Sequence, residues 1–338
     1  MGKLYWVTNL RVIATILVVL IHCSGGVLAH YNDRPYEWWW IGNCITVLGR
    51  FAVPVFVMIS GALLLGKKIE LFPFLKKRFL RVWVPFTVWV IIYVLYHNLF
   101  ERNSYSFSKA FVDYLTMGGG LYGHFWFIYM ILGLYLITPF VNHFLLRATK
   151  QESYFLLFLC FVSCSIFPFI KKFFGVDIRL DLQNVGGYLG YFVAGFILKN
   201  AQFSFNKWFY ITCILILYFL AIYGNYWLTS PKGKFDDYFS SYLSPNIILM
   251  SVCIFTLFKE YLNIEFIPSI INRLDAASFG IYLCHFLIIT IISHEFHINW
   301  AWYHPLIGIF TQAGITLTIA YLLIWGISKL PKGYWVTG

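Results

Sequence analysis

Residues 7–29 read VTNLRVIATILVVLIHCSGGVLA, an apolar run whose two ionisable members are Arg11 and His22. At a rise of about 1.5 Å per residue, about 20 such residues cross the hydrocarbon of a bilayer, so this run is long enough to span it. Eleven residues at about 100° each turn through roughly three revolutions plus about 20°. Arg11, Thr15 and His22 therefore fall on one stripe about 16 Å long. Ionisable groups are costly in hydrocarbon and point into a bundle or a wet cavity, which makes the stripe a candidate reaction or transport path.

The rest of the chain continues the pattern. Of 338 residues, 60% are hydrophobic and 12% charged, and the mean hydropathy is +0.73. Ten apolar runs read as spanning helices, at 7–29, 39–65, 79–99, 123–145, 153–170, 186–199, 208–227, 244–260, 277–295 and 304–328. The sixth is short and rich in glycine, with Gly186, Gly187, Gly190 and Gly195. The fold class implied is all-α: an integral membrane protein built as a polytopic bundle of about ten helices. One transmembrane domain, 1–338, accounts for the chain, with no repeat, low-complexity tract or linker. The longest outer connections are 100–122 and 228–243.

Lys and Arg in the connections set orientation, because positive charge is retained on the cytoplasmic side. With the N-terminus inside, fifteen cations lie in inner segments and eight outside, the outer set including Arg102, Lys109 and Arg179. This predicts a multi-pass protein of the cell membrane with both termini cytoplasmic. A cleavable signal peptide fits the first run poorly, since the run is long, Arg11 lies near its start, and Val27, Leu28 and Ala29 make a poor cleavage site. The net charge of +11 does not point to nucleic acid, for there is no soluble basic domain to bind it. The charge fits topology and attraction to anionic membrane lipids instead. Six of the fifteen inner cations crowd into residues 67–81, read as a loop. The seven cysteines lie in or beside apolar runs with no CxxC pair, and read as small hydrophobic residues without a disulfide framework or metal site.

No acidic residue falls in the middle of a span, which weakens an ion-coupled carrier. The deep ionisable groups are Arg11, His22, Arg50 and His285, an inventory suited to binding an anion and moving a proton. Neutral imidazole takes a hydroxyl proton near physiological pH, so His22 is a candidate general base. His285 reads either as a core hydrogen bonder or as a functional group, and two deep histidines could also ligate a haem iron. In the second span Pro54 loosens the helix near Arg50, leaving Arg50 either satisfied by carbonyls or free to bind an anion or carbonyl. The cluster Lys76, Lys77, Arg78 and Arg81 reads as a positive-inside anchor or as a phosphate site. The aromatic groups Trp38 to Trp40 and His124 to Phe127 suit interfacial belts, and a minority could stack on sugar rings.

Together these motifs resemble the membrane acyltransferase-3 family, in its surface-polysaccharide and enterobacterial-common-antigen O-acetyltransferase branch. The resemblance rests on Tyr5-Trp6-Val7-Thr8-Asn9-Leu10-Arg11 with His22 and on Arg50 with Val53-Pro54 and Phe56-Val57-Met58-Ile59-Ser60-Gly61. It continues in the basic segment ending at Arg81 and Pro85, in His124-Phe125-Trp126-Phe127 with Tyr135 and Pro139, and in Ser278-Phe279-Gly280-Ile281-Tyr282-Leu283-Cys284-His285. It implies about ten spans, an acyl-CoA donor (acetyl-CoA) as substrate with no permanently bound cofactor, and a glycan or glycolipid acceptor on the far side. His22 and Arg11 match the family's two essential first-helix positions, which makes them the catalytic pair. Arg50, Ser60, Lys77, Arg78, Arg81, His124, Trp126, Tyr282 and His285 are then the substrate-binding candidates. Many relatives carry Asp where Thr8 stands and Gly where Val12 stands, so the support an Asp gives the Arg is missing from the first helix here.

Thioester-to-ester transfer is exergonic and needs no ion gradient. His22 would deprotonate the acceptor hydroxyl or form a transient acyl-imidazole, with Arg11 or Arg50 stabilising the oxyanion. A flippase or exporter of lipid-linked sugars would share the spans, belts and basic faces. A sensor module would need a fused domain.

Overall fold

The computed structural model describes residues 4–100, 107–116, 120–178 and 183–338. Glu101, Arg102, Arg179, Asp181 and the side chain of Lys109 lie outside what is described. Fourteen α-helices follow in order: α1 Tyr5–Ser24, α2 Tyr36–Gly49, α3 Ala52–Leu64, α4 Leu71–Phe100, α5 Phe107–Thr116, α6 Trp126–Arg147, α7 Lys150–Phe161, α8 Phe167–Phe174, α9 Gln183–Asn200, α10 Lys207–Thr229, α11 Pro245–Tyr261, α12 Pro268–Glu295, α13 Pro305–Ser328 and α14 Tyr334–Thr337. Among the described residues there is no strand, and nine helical segments are long and apolar enough to cross a membrane. The chain is an all-α polytopic membrane protein.

The sixth predicted span is α9, whose 18 residues are less apolar than the nine segments long and apolar enough to cross. It is held by backbone contact instead. A Cβ at Gly61 would lie 1.8 Å from the Phe192 carbonyl oxygen, and one at Gly195 would lie 1.9 Å from that of Met58. Only glycine lets α3 and α9 approach so closely, as small residues do where helices meet in lipid. Asn142 clamps the exit from α3, accepting from Gly66 N–H at 2.7 Å and donating to the Lys67 carbonyl at 2.6 Å.

Two expectations are corrected here. The second span is not one loosened helix: it breaks at Arg50–Phe51, between α2 and α3. Pro54 lacks an N–H and its ring crowds the carbonyl four residues back, which is that of Arg50, so the chain turns there. The basic segment is no loop either, because Lys76 to Arg81 lie inside the first turns of α4.

Irregular backbone recurs beside the centre of the bundle. A π-turn, Val162–Ile166, joins α7 to α8, and α9 is bent at Gly187, with φ 10° and ψ −127°. In α12 the Tyr93 hydroxyl accepts the Leu287 N–H at 2.8 Å and donates to the Leu283 carbonyl at 3.2 Å. Those two groups pair with each other in a regular helix, so the phenol is inserted into the ladder that carries His285.

Candidate functional site

A cavity of about 550 Å³ opens among α1, α3, α4, α6 and α12, within the range of small-molecule sites. Arg11, Lys67, Arg78 and Arg81 line one end, together with Asp275, while Val18, Phe127 and Tyr282 line it further in. Its cationic character follows from helix geometry. Arg78 and Arg81 are three residues apart on α4 and share the cavity-facing side, whereas Lys77, about 100° round the helix, is exposed and does not line the cavity. Lys77 is thus corrected from a binding residue to an outward-facing charge. The Arg78 guanidinium packs against the rings of Phe74 and Tyr135, 5.7 and 5.9 Å away, and its buried Nε has no hydrogen-bond partner among the described residues. Ser60 lines the cavity but donates to its own helix, to the Phe56 carbonyl at 2.9 Å.

Arg11 is held by Asp275, with Nη1 2.6 Å from the carboxylate. Asp275 lies two turns into α12, not in the flank where the shorter predicted span left it. The acidic partner missing from the first helix is supplied by a different one. Thr15 does not continue the polar stripe as a free group, since its hydroxyl donates to the Arg11 carbonyl at 2.9 Å.

The cavity reaches to Val18, one turn before His22, and to Tyr282, one turn before His285. Beyond it three imidazoles meet. His22 and His285 have ring centroids 5.1 Å apart, His124 and His285 5.4 Å, and His22 and His124 6.2 Å. Phe286 stacks on His124 at 4.9 Å and stands edge-on to His22 at 5.4 Å. The Tyr282 hydroxyl donates to the His124 carbonyl at 2.6 Å, tying the entry of α6 to α12.

Hydrogen bonds fix which nitrogens carry protons. His285 Nδ1 faces two carbonyls, Tyr282 at 2.7 Å and Ile281 at 3.2 Å, so it is the donor and Nε2 is the lone-pair nitrogen. Tyr93 spends its proton on the Leu283 carbonyl, which makes His124 Nε2, 3.4 Å from that hydroxyl, the donor and His124 Nδ1 the acceptor. His285 Nε2 and His124 Nδ1 are both buried and have no partner among the described residues. Two buried acceptor nitrogens on rings 5.4 Å apart suit a hydroxyl or a proton.

Arg50 projects from the break between α2 and α3. Its guanidinium lies 5.4 Å from the ring of Tyr242, its Nε is buried without a partner among the described residues, and its charge acts on His22. Trp126, expected to bind substrate, does not line the basic cavity. It packs on Tyr188 at 5.4 Å and Tyr242 at 5.7 Å, forming an aromatic wall beneath Arg50.

The haem alternative does not fit. Imidazoles on opposite sides of an iron, with bonds of about 2 Å, have centroids farther apart than the 5.1 Å between His22 and His285. Among the described residues no group of three or more His, Cys, Asp or Glu side chains is arranged to hold a metal ion. Among the described residues no disulfide joins the seven cysteines, and four of them are buried.

The sequence reading missed Tyr93 and Asp275. Tyr93 carried no signal, being one aromatic among many, while Asp275 could have been found by extending the ninth span back to Pro268.

The fold and site together define a polytopic helical membrane protein with a basic cavity and, one helical turn beyond it, a cluster of three imidazoles. The acyltransferase domain family matches residues 4–325, and the chain belongs to that family of membrane acyltransferases. No curated protein and no solved structure matches the chain.

Proposed function

We propose that the protein is an O-acyltransferase of the cell membrane that moves an acyl group, acetyl in the first instance, from acyl-CoA to a hydroxyl of a surface glycan or glycolipid, as enzymes of the surface-polysaccharide branch do. The observation that carries this reading is the cavity that holds Arg11, Arg78 and Arg81 at one end and reaches Val18 and Tyr282, one helical turn short of the histidine cluster. Guanidinium groups at its entrance suit the phosphates of a nucleotide. About 16 Å of α1 separates Arg11 from His22, a span that an extended pantetheine arm bridges. The excess of Lys and Arg in the segments on the N-terminal side supports a cytoplasmic entrance and cytoplasmic termini.

At the inner end His22 takes the acceptor hydroxyl proton as the alkoxide attacks the thioester carbonyl. The C–O bond forms, the C–S bond breaks, and the proton passes to the departing CoA thiolate. His285 Nε2 and His124 Nδ1 supply further acceptor positions around the reacting hydroxyl. Arg50, cationic and close to His22, stabilises the oxyanion of the tetrahedral intermediate.

The test is transfer of labelled acetyl from acetyl-CoA to extracted membrane glycolipid by purified protein, with release of stoichiometric CoA. An exporter of lipid-linked sugars would move its cargo without consuming acetyl-CoA. That outcome would replace the reading.

A further inference from the structure

A second hollow lies on the flank of the bundle, about 180 Å³ in volume, floored by α9 and walled by α7 and α11. Two irregularities make it. The π-turn after α7 displaces Cys160 and Cys164, and the bend at Gly187 followed by Gly190 leaves α9 without side chains there. A Cβ at Gly187 would meet nothing within 4 Å. The lining is apolar throughout: cysteines, glycines, Leu243, Leu249 and Val252 among them, and Leu249 is about half exposed at the bilayer surface. The one hydroxyl, that of Tyr191, is spent on the Tyr242 carbonyl at 2.5 Å.

That hydrogen bond joins the hollow to the reaction centre. Tyr242 stands under the Arg50 guanidinium and against Trp126, and Arg50 keeps a buried, unpartnered Nε. From the Tyr242 level the groove runs along α9 from Gly187 to Ala194 and, from Leu243 just before α11, along α11 to Val252. A cation and an aromatic wall thus stand at one end of an apolar trough inside the membrane. That is the complement of an anionic lipid: head at Arg50, chain in the groove. We infer that the acceptor is delivered on such a lipid, its hydrocarbon chain seated between α7 and α11 and its anionic headgroup bringing the sugar to the histidines. This rests on the acyl-transfer reading and narrows its acceptor to a lipid-linked one.

The probe is hexadecyl phosphate with a diazirine near the chain end, photolysed with the full-length protein in phosphatidylcholine nanodiscs. Adducts are expected in residues 157–164, 187–194 or 243–252, competed by unlabelled hexadecyl phosphate and not by hexadecanol, which has the chain without the charge. They should fall at least about fivefold in Leu249→Trp with Val252→Trp, which fills the groove from its exposed wall, and in Arg50→Gln. In the acetyl-CoA assay the groove-filled variant, with an unchanged melting temperature, should raise the KM for extracted glycolipid about tenfold and leave that for acetyl-CoA within twofold. Adducts spread evenly over the lipid-facing helices, or equal competition by hexadecanol, would make the groove an ordinary lipid contact and overturn the inference. Groove labelling by a protein that transfers no acetyl would overturn the acyl-transfer reading alone. Transfer without groove labelling would overturn this one alone.

Discussion

Arg11 and Asp275, 264 residues apart in sequence, form an ion pair of 2.6 Å at the entrance of the basic cavity. The carboxylate fixes one edge of the guanidinium and leaves the rest of its planar fork for a ligand, a geometry that a lysine ammonium cannot reproduce. Asp275→Asn should lower kcat/KM for acetyl-CoA about tenfold while the protein inserts normally, and Asp275→Glu should recover most of the loss. Equal falls in both variants would mark the pair as structural only.

The cavity divides the cations of α4 into two groups. Arg78→Gln and Arg81→Gln should each raise the donor KM several-fold and weaken its dependence on ionic strength, because they remove phosphate partners. Lys77→Gln, on the exposed side, should change neither. A donor KM that responds equally to all three would mean that only total positive charge matters.

Tyr93 is inserted in the backbone ladder between Leu283 and Leu287, around His285. Tyr93→Phe removes the hydroxyl and leaves α12 to close its own hydrogen bond, shifting His285 relative to His22. Transfer should fall at least about tenfold, whereas a lost buried hydrogen bond alone costs about 1–3 kcal/mol of stability. Steady-state kinetics beside thermal unfolding in the same detergent separates the two effects.

In the connection after α10, Asp236 is held by Lys172 at 2.8 Å and Lys232 at 2.5 Å. Burial opposes ionisation there, but the two ammonium groups outweigh it and bring the carboxyl down to about 2. Because the folded value lies below the unfolded one of about 3.9, the contribution is present above that value and is lost as pH falls from 4 towards 2. Asp236→Asn should therefore lower the melting temperature by a few degrees at pH 7 and converge with wild type near pH 2. A constant difference across that range would contradict the assignment.

Much of this architecture is written in local sequence, because a membrane demands long apolar runs and prices every charge inside them. Arg11, His22, Arg50 and His285 stood out for that reason; Arg11 lines the cavity, and His22 and His285 meet beyond it. What depended on neighbours was not legible. Nothing near Arg11 announces Asp275, and nothing around His124 shows that its ring would meet two others. Where the reading erred, it stopped one step short in the helix. It began the third span at residue 79, eight residues after α4 starts, which hid the separation of Arg78 and Arg81 from Lys77, and it placed the bend at Pro54 instead of at the carbonyl that Pro54 displaces.

The central claim is that His22 performs the proton transfer at the end of the basic cavity. Acetyl transfer from labelled acetyl-CoA to extracted membrane glycolipid, measured for wild type and His22→Ala in the same lipid, tests it most directly. Loss of a general base costs about 10² to 10⁴ in rate, so the variant should fall by at least 10² with unchanged helicity, melting temperature and acetyl-CoA binding. A correctly folded His22→Ala protein that transfers acetyl within a few-fold of wild type would contradict the account.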